Sequence, residues 1–330
     1  MKRSMLLAPL LLVACGDSTP PVQTPVTPPP SATVPPPPAV DAGAPVATAV
    51  DAGPPTPLPP AAVAKWTGFS TPESVLWDEA NDRYLVSNVA GQPLDADGNG
   101  FISDVSPDGK VTNLKWIAGG QNKVKLDAPK GMGIVGGVLY VTDITVVRMF
   151  DLKTGAPKGE VKVPGATFMN DISVGGDGTV YATDTGMKAG KAGFEPSGAD
   201  AVYAIDKAGK LKTIVKDKNL GKPNGVLWTD KGLVLVNFGN DEAYRVDDKG
   251  KKQDVTKTPK GGLDGVIAVG DMLYISSWEG QAIYKGKLGG AFEPAFTGFK
   301  APADIGFDKK RSRVLVPRFM EDFVEAYEVK

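Results

Sequence analysis

The chain has no histidine and a single cysteine, Cys15. The first absence excludes Ser-His-Asp hydrolysis, Cys-His proteolysis, imidazole metal sites and histidine acid/base chemistry. The second leaves everything beyond residue 15 without a thiol or a disulfide. An excess of one charge is also lacking, since 37 Lys and Arg stand against 38 Asp and Glu. With no basic footprint, nucleic acid is not an expected partner. Any catalysis must rest on carboxylates, Lys, Tyr, Ser or an oxygen-bound metal.

Lys2 and Arg3 precede an apolar run over residues 5–14 that is too short to span a membrane. This is the pattern of a secretory signal. Residues 12–15, Leu-Val-Ala-Cys, resemble the bacterial lipobox, which implies removal of residues 1–14 and lipidation of Cys15. The plain alternative is an ordinary signal cut elsewhere. Gly16 in place of Asp points, by the same resemblance, to the outer membrane of a bacterial envelope. The lipid is then the only membrane contact expected. Residues 16–64 hold 16 prolines, no aromatic, and no Lys, Arg or Glu. Such a segment cannot bury a core. It is expected to be a disordered, polyproline-rich tether, reaching about 150 Å if fully extended at ~3.1 Å per residue.

Residues 65–330 form the globular part, and they repeat. Six segments each read as a short apolar strand opened by polar residues, a turn, and a second apolar strand ending in polar residues. The openings are Glu73, Lys130, Asn170, Asn224, Asp264 and Ala303, spaced by 57, 40, 54, 40 and 39 residues. A third strand follows each pair, with turns such as Asp108-Gly109 and Asp177-Gly178. Short strands without a helical period indicate an all-β fold. The expected architecture is a six-bladed β-propeller, with paired β-sandwiches as the alternative. The sixth repeat stops after its third strand, so residues 63–69 are expected to supply its outer strand and close the ring.

In a propeller the innermost strands line a central channel, so the six openings converge at one end of it. The ends of the second strands lie beside them: Asn88, Asp143, Asp184, Asn237, Ser277 and Arg318. Two carboxylates and two carboxamides, Glu73, Asp264, Asn170 and Asn224, are hard oxygen donors suited to Ca²⁺. Glu73 and Asp264 together balance a divalent charge. Asn224-Gly225 and Asp264-Gly265 could instead be hairpin turns, but they share one blade position with Glu73 and Asn170. A metal site is the expected reading.

These motifs resemble the regucalcin/gluconolactonase propellers, related in fold to diisopropyl-fluorophosphatase, over about residues 66–330. The likeness is carried by Glu73-Ser74 before Val-Leu-Trp-Asp, by Asn170-Asp171, by Pro223-Asn224-Gly225 and by Asp264-Gly265. It implies Glu73, Asn224 and Asp264 as ligands of a divalent metal, Ca²⁺ or else Zn²⁺, Mg²⁺ or Mn²⁺, with Asn170 as a fourth ligand or substrate contact. Members often carry Arg two residues before the Asn-Asp pair to hold a sugar acid. Here that residue is Phe168.

Lys130 is a cation in a ring that should hold a cation. It either pairs with Asp143 or binds a substrate carboxylate or phosphate, together with Arg318 across the mouth, and Asp184 is a further candidate substrate contact. Arg318 could equally be a rim charge. Residues 95–103 match the first nine positions of a calcium loop, but Ser106 stands where a bidentate Glu is required, so a polar hairpin tip is the alternative. Aromatics such as Trp77, Tyr140, Tyr181, Trp228 and Tyr274 are expected in the core. Two functions follow. One is a metal-dependent hydrolase of lactones or related esters, acting as a monomer on a small molecule, with Asp264 or a metal-bound water as base. The other is a non-catalytic propeller with a structural calcium that grips a glycan or protein through its loops.

Overall fold

The computed structural model describes residues 61–330, apart from Ala192, Asp248 and Lys330. Cys15 and nearly all of the expected tether lie outside those residues. Every regular element among the described residues is a β-strand, and the strands form six antiparallel four-stranded sheets plus one isolated hairpin. Blade one runs outward through Pro72–Asp78, Arg83–Asn88, Phe101–Val105 and Val111–Ala118. Blades two, four and five repeat this order from innermost strands Pro129–Val135, Pro223–Thr229 and Leu263–Val269. Blade three, begun by Met169–Val174, carries the hairpin Met187–Gly190 and Gly193–Pro196 between its second and third strands.

Blade six has only three strands of its own at the C-terminal end, Gly306–Asp308, Arg313–Arg318 and Phe323–Glu328. Ala64–Thr67 completes it, pairing Ala64 with Ala326 and Thr67 with Phe323. The expected six-bladed propeller is therefore the fold, closed by the N-terminal strand. The closing strand is held by packing as well as by its ladder. Trp66 is 1% exposed, donates its indole N–H to the Ser106 carbonyl at 3.0 Å, and meets Tyr84 edge-on at 5.5 Å. At the axis the ring closes where Asp304 N–H donates to the Glu73 carbonyl at 2.9 Å.

The core is divided into six apolar clusters, each lying between two consecutive blades. Each blade therefore buries both faces, which is why its inner strands read as continuous apolar runs such as Leu233-Val234-Leu235-Val236 instead of alternating. Tyr274 is buried, and Trp77, Tyr140, Tyr181 and Trp228 are partly buried against these clusters, as expected.

Candidate metal centre

In blades one to five the register between first and second strand breaks at one place, the opening residue and its successor. Each break is a bulge, which re-aims a side chain that the regular pleat would turn into a blade interface. Hydroxyls from the second strands pin these bulges. Thr183 Oγ1 accepts the Asp171 N–H at 2.9 Å and donates to the Asn224 carbonyl in the next blade at 2.6 Å. Ser276 Oγ accepts from Gly265 N–H and donates to the Ala303 carbonyl, both at 2.8 Å.

Glycine follows Asn224 and Asp264 because the neighbouring blade's main chain approaches there. A Cβ on Gly225 would lie 2.3 Å from the Asp264 carbonyl oxygen, and one on Gly265 would lie 2.5 Å from Ile305 N. Neither glycine has a positive φ. Both dipeptides are thus strand bulges at the axis, not hairpin turns.

Glu73, Asn170, Asn224 and Asp264 line the floor of one cavity and are each no more than 5% exposed. Glu73 Oε2, Asn170 Oδ1, Asn224 Oδ1 and Asp264 Oδ1 are buried with no hydrogen-bond partner. Four orphaned oxygens in one place are costly unless something positive meets them. Asn170 Nδ2 donates to Thr185 Oγ1 at 3.0 Å, which leaves its oxygen as the free end. Burial, then the charges of Asp264 and Asp304, push the Glu73 carboxyl well above the usual carboxylate range, with Lys130 opposing. Burial and Asp304 do the same to Asp264. The Trp278 indole N–H faces Asp264 closely enough to favour its ionised form, although not at hydrogen-bonding geometry.

Among the described residues no three His, Cys, Asp or Glu side chains gather as metal ligands. The donor set here is two carboxylates and two carboxamides, all oxygen, with a combined charge of −2 when both acids are ionised. That set fits a hard divalent cation, calcium before zinc or copper.

Lys130 is 1% exposed and also faces the cavity. Its ammonium donates to the Pro93 and Ala128 carbonyls, each at 2.9 Å, and lies 4.8 Å from the centre of the Phe168 ring. Burial brings its pKa down to about 8, against the pull of Glu73 and Asp143. The expected pairing with Asp143 is not formed. Asp143 accepts from Arg148 Nε at 2.9 Å and from the N–H groups of Asp127 and Ala128.

Asp184 and Arg318, expected to meet substrate, do not line the cavity. Asp184 accepts the N–H groups of Thr167, Phe168 and Gly186, each at 2.9 Å. Arg318 pairs with Glu321 at 2.6 Å and Glu325 at 3.0 Å and donates to the Gly298 carbonyl. Their positions share one task. Asn88, Asp143, Asp184, Asn237 and Ser277 each bond to the main chain just before their own blade's first strand, and Arg318 bonds to Gly298 at the start of the segment leading into blade six. They fasten the incoming loops and leave the axis to the openings.

The segment that matches a calcium loop leads straight into blade one's third strand. Within it Asp97 accepts from the main-chain and side-chain N–H groups of Asn99.

Two features escaped the sequence reading. The first is a second, channel-facing cavity of about 320 Å³ beneath the ring, where Ser74 Oγ donates to Asp304 Oδ2 at 2.5 Å. Burial pushes the Asp304 carboxyl up to about 7, and Asp171 is raised by burial and by Asp304. The second is the wall of the upper cavity, about 350 Å³ in volume. Phe238, Trp278 and Phe319 form a continuous row of ring contacts across blades four to six, the first edge-on and the second tilted, with centroids 5.4 and 5.2 Å apart. Phe168 and Phe194 meet edge-on at 6.0 Å and line the same cavity. A signal existed, because Phe238, Trp278 and Phe319 each immediately follow the residue that ends a second strand.

The fold is similar to that of a gluconolactonase from Xanthomonas campestris, with a TM-score of 0.60 and 18% identity over 79% of this chain and 86% of that one. It is also similar to a luciferin-regenerating enzyme, with a TM-score of 0.58 and 14% identity over 79% and 91% of the two chains. Virginiamycin B lyase from Staphylococcus aureus gives a TM-score of 0.56 and 15% identity over 78% and 95%. No protein-family model and no curated protein sequence matches the chain. At such identities these neighbours show the fold alone, a β-propeller.

Proposed function

We propose that this propeller is a divalent-metal-dependent hydrolase of lactones or related esters, held at a bacterial envelope through lipid on Cys15. The observation that carries the reading is the set of four buried oxygens without partners, from Glu73, Asn170, Asn224 and Asp264, at the floor of one cavity. A bound divalent ion, best calcium, would supply charge stabilisation for the acyl oxygen as it becomes anionic.

The chain's own residues do the rest. Glu73 and Asp264 balance the ion's charge, and the carboxamide oxygens of Asn170 and Asn224 complete the donor set. Asp264 takes a proton from the attacking water as the water oxygen bonds to the acyl carbon. The acyl carbon–oxygen bond then breaks, and the proton passes to the leaving alkoxide, giving a hydroxy acid from a lactone. Lys130 donates two N–H groups to carbonyls and can offer the third to a ligand oxygen. The aromatic wall keeps bulk water from the floor.

The test is calcium titration by calorimetry on the full-length protein, followed by a panel of lactones, esters and phosphotriesters with and without chelator. Binding of about one ion and chelator-sensitive, calcium-restored turnover is the expected result. Calcium raising the melting temperature with no turnover at all would instead favour a binding propeller with a structural ion.

A further inference from the structure

The walls of the cavity are chemically unlike its floor. Above the four oxygens they are built from Phe168, Phe194, Phe238, Trp278, Phe319 and Met187. The polar uncharged side chains on the wall are Gln92 and Thr185, and the Thr185 hydroxyl already accepts from Asn170 Nδ2 and donates to the Pro223 carbonyl. That leaves Gln92, the unpartnered Trp278 indole N–H and one N–H of Lys130 to satisfy polar groups on a ligand. A hydroxyl buried without a partner costs about tenfold or more in affinity. A polyhydroxylated ring placed here would bury several hydroxyls against aromatic faces.

The mouth carries a second, independent indication. Five large apolar side chains are exposed among the described residues, and two of them, Phe194 at 45% and Met320 at 66%, stand at this one opening. Phe194 and Met187 come from the blade-three hairpin, which pairs only with itself and brings its apolar side chains over the site. Exposed apolar side chains gathered at the rim of a concave site mark where an apolar ligand is covered.

We infer that the substrate has an apolar body: an aryl- or alkyl-bearing lactone or ester, seated between the blade-three hairpin and the Phe238-Trp278-Phe319 aromatic row, and not a sugar lactone. This rests on the hydrolase reading for the reacting group, while the apolar body is argued from the walls alone.

The full-length protein with saturating calcium is assayed on dihydrocoumarin, δ-decalactone and glucono-δ-lactone. The kcat/KM for the first two should exceed that for the third by at least about a hundredfold, and Phe194→Ser should raise KM for δ-decalactone about fivefold with a smaller change in kcat. In parallel, the non-hydrolysable lactam of the same shape, 6-pentylpiperidin-2-one, is titrated by calorimetry into wild type and Phe194→Ser. Comparable or faster turnover of glucono-δ-lactone overturns the inference and leaves the hydrolase reading standing. If nothing is turned over but the lactam binds and Phe194→Ser weakens it, the hydrolase reading fails and the apolar ligand stands. If nothing is turned over and the lactam does not bind, the inference fails as well.

Discussion

Arg148 Nε donates to Asp143 Oδ2 at 2.9 Å, so the carboxylate nearest Lys130 in the blade register already has its cation. Lys130 is thereby left as a buried positive charge beside Glu73, held by two carbonyls. The two cations should respond differently to removal. Arg148→Met strands a carboxylate whose side chain is fully buried, at a cost of about 3–5 kcal/mol, and should lower the melting temperature by about 10 °C. Lys130→Met leaves Asp143 paired and should tighten calcium binding about threefold or more, because a like charge has left the floor. Calorimetry and thermal melts check both. Weaker calcium binding in Lys130→Met would contradict the placement.

Glu73→Gln and Asp264→Asn should each weaken calcium by at least about tenfold, since each removes half of the balancing charge. At saturating calcium they should part company. Asp264→Asn keeps an oxygen donor but loses the proton acceptor, and turnover should fall about a hundredfold or more. Asn224→Ala should lose far less once metal is restored. Wild-type turnover by Asp264→Asn at saturating calcium would remove Asp264 as the base.

Stability of the metal-free protein should fall as pH rises. Asp304 ionises near 3.8 when unfolded but at about 7 in the fold, and Glu73, Asp171 and Asp264 are shifted in the same direction. The folded state therefore holds more protons across that window. The stabilising contribution is complete below about pH 4 and is lost as pH passes through about 7. In chelator the melting temperature should drop by at least about 5 °C between pH 5 and 8, and Asp304→Asn should flatten the slope. Calcium should bind more tightly at the higher pH, because protons must leave Glu73 and Asp264 for it. A melting temperature in chelator that rises over the same range would contradict this ordering.

Trp66 joins the closing strand to the rest of the ring through Tyr84 and the Ser106 carbonyl. Trp66→Ala should cost about 3–5 kcal/mol and broaden the melting transition, as blade six loses its outer strand. A melt indistinguishable from wild type would show that the ring does not depend on that closure.

If the proposed lipid anchor holds, Cys15→Ser should move the protein from the membrane fraction to the soluble one, since that lipid is the only membrane affinity the proposal supplies. Equal partitioning of mutant and wild type would rule out the lipid anchor.

The sequence by itself determined the blade count, the closing strand and the four floor residues. A propeller repeats one topology, so residues at the same position of each repeat reach the same radius, and a register read from apolar strands carries Glu73, Asn170, Asn224 and Asp264 to the axis together. What the repeat could not supply was any partnership that crosses it. Asp143 lies next to Lys130 in the register, yet it pairs with Arg148 because the side chain ending the second strand turns back to fasten the incoming loop. Asp184 and Arg318 are turned from the site by the same geometry. The aromatic wall was equally hidden. Its members come from loops of different length in different blades and from the blade-three hairpin, and only closing the ring brings Phe168, Phe194, Phe238, Trp278 and Phe319 around one opening. Radius is a property of the repeat and is written along the chain, whereas the contacts between blades exist only once the ring has closed.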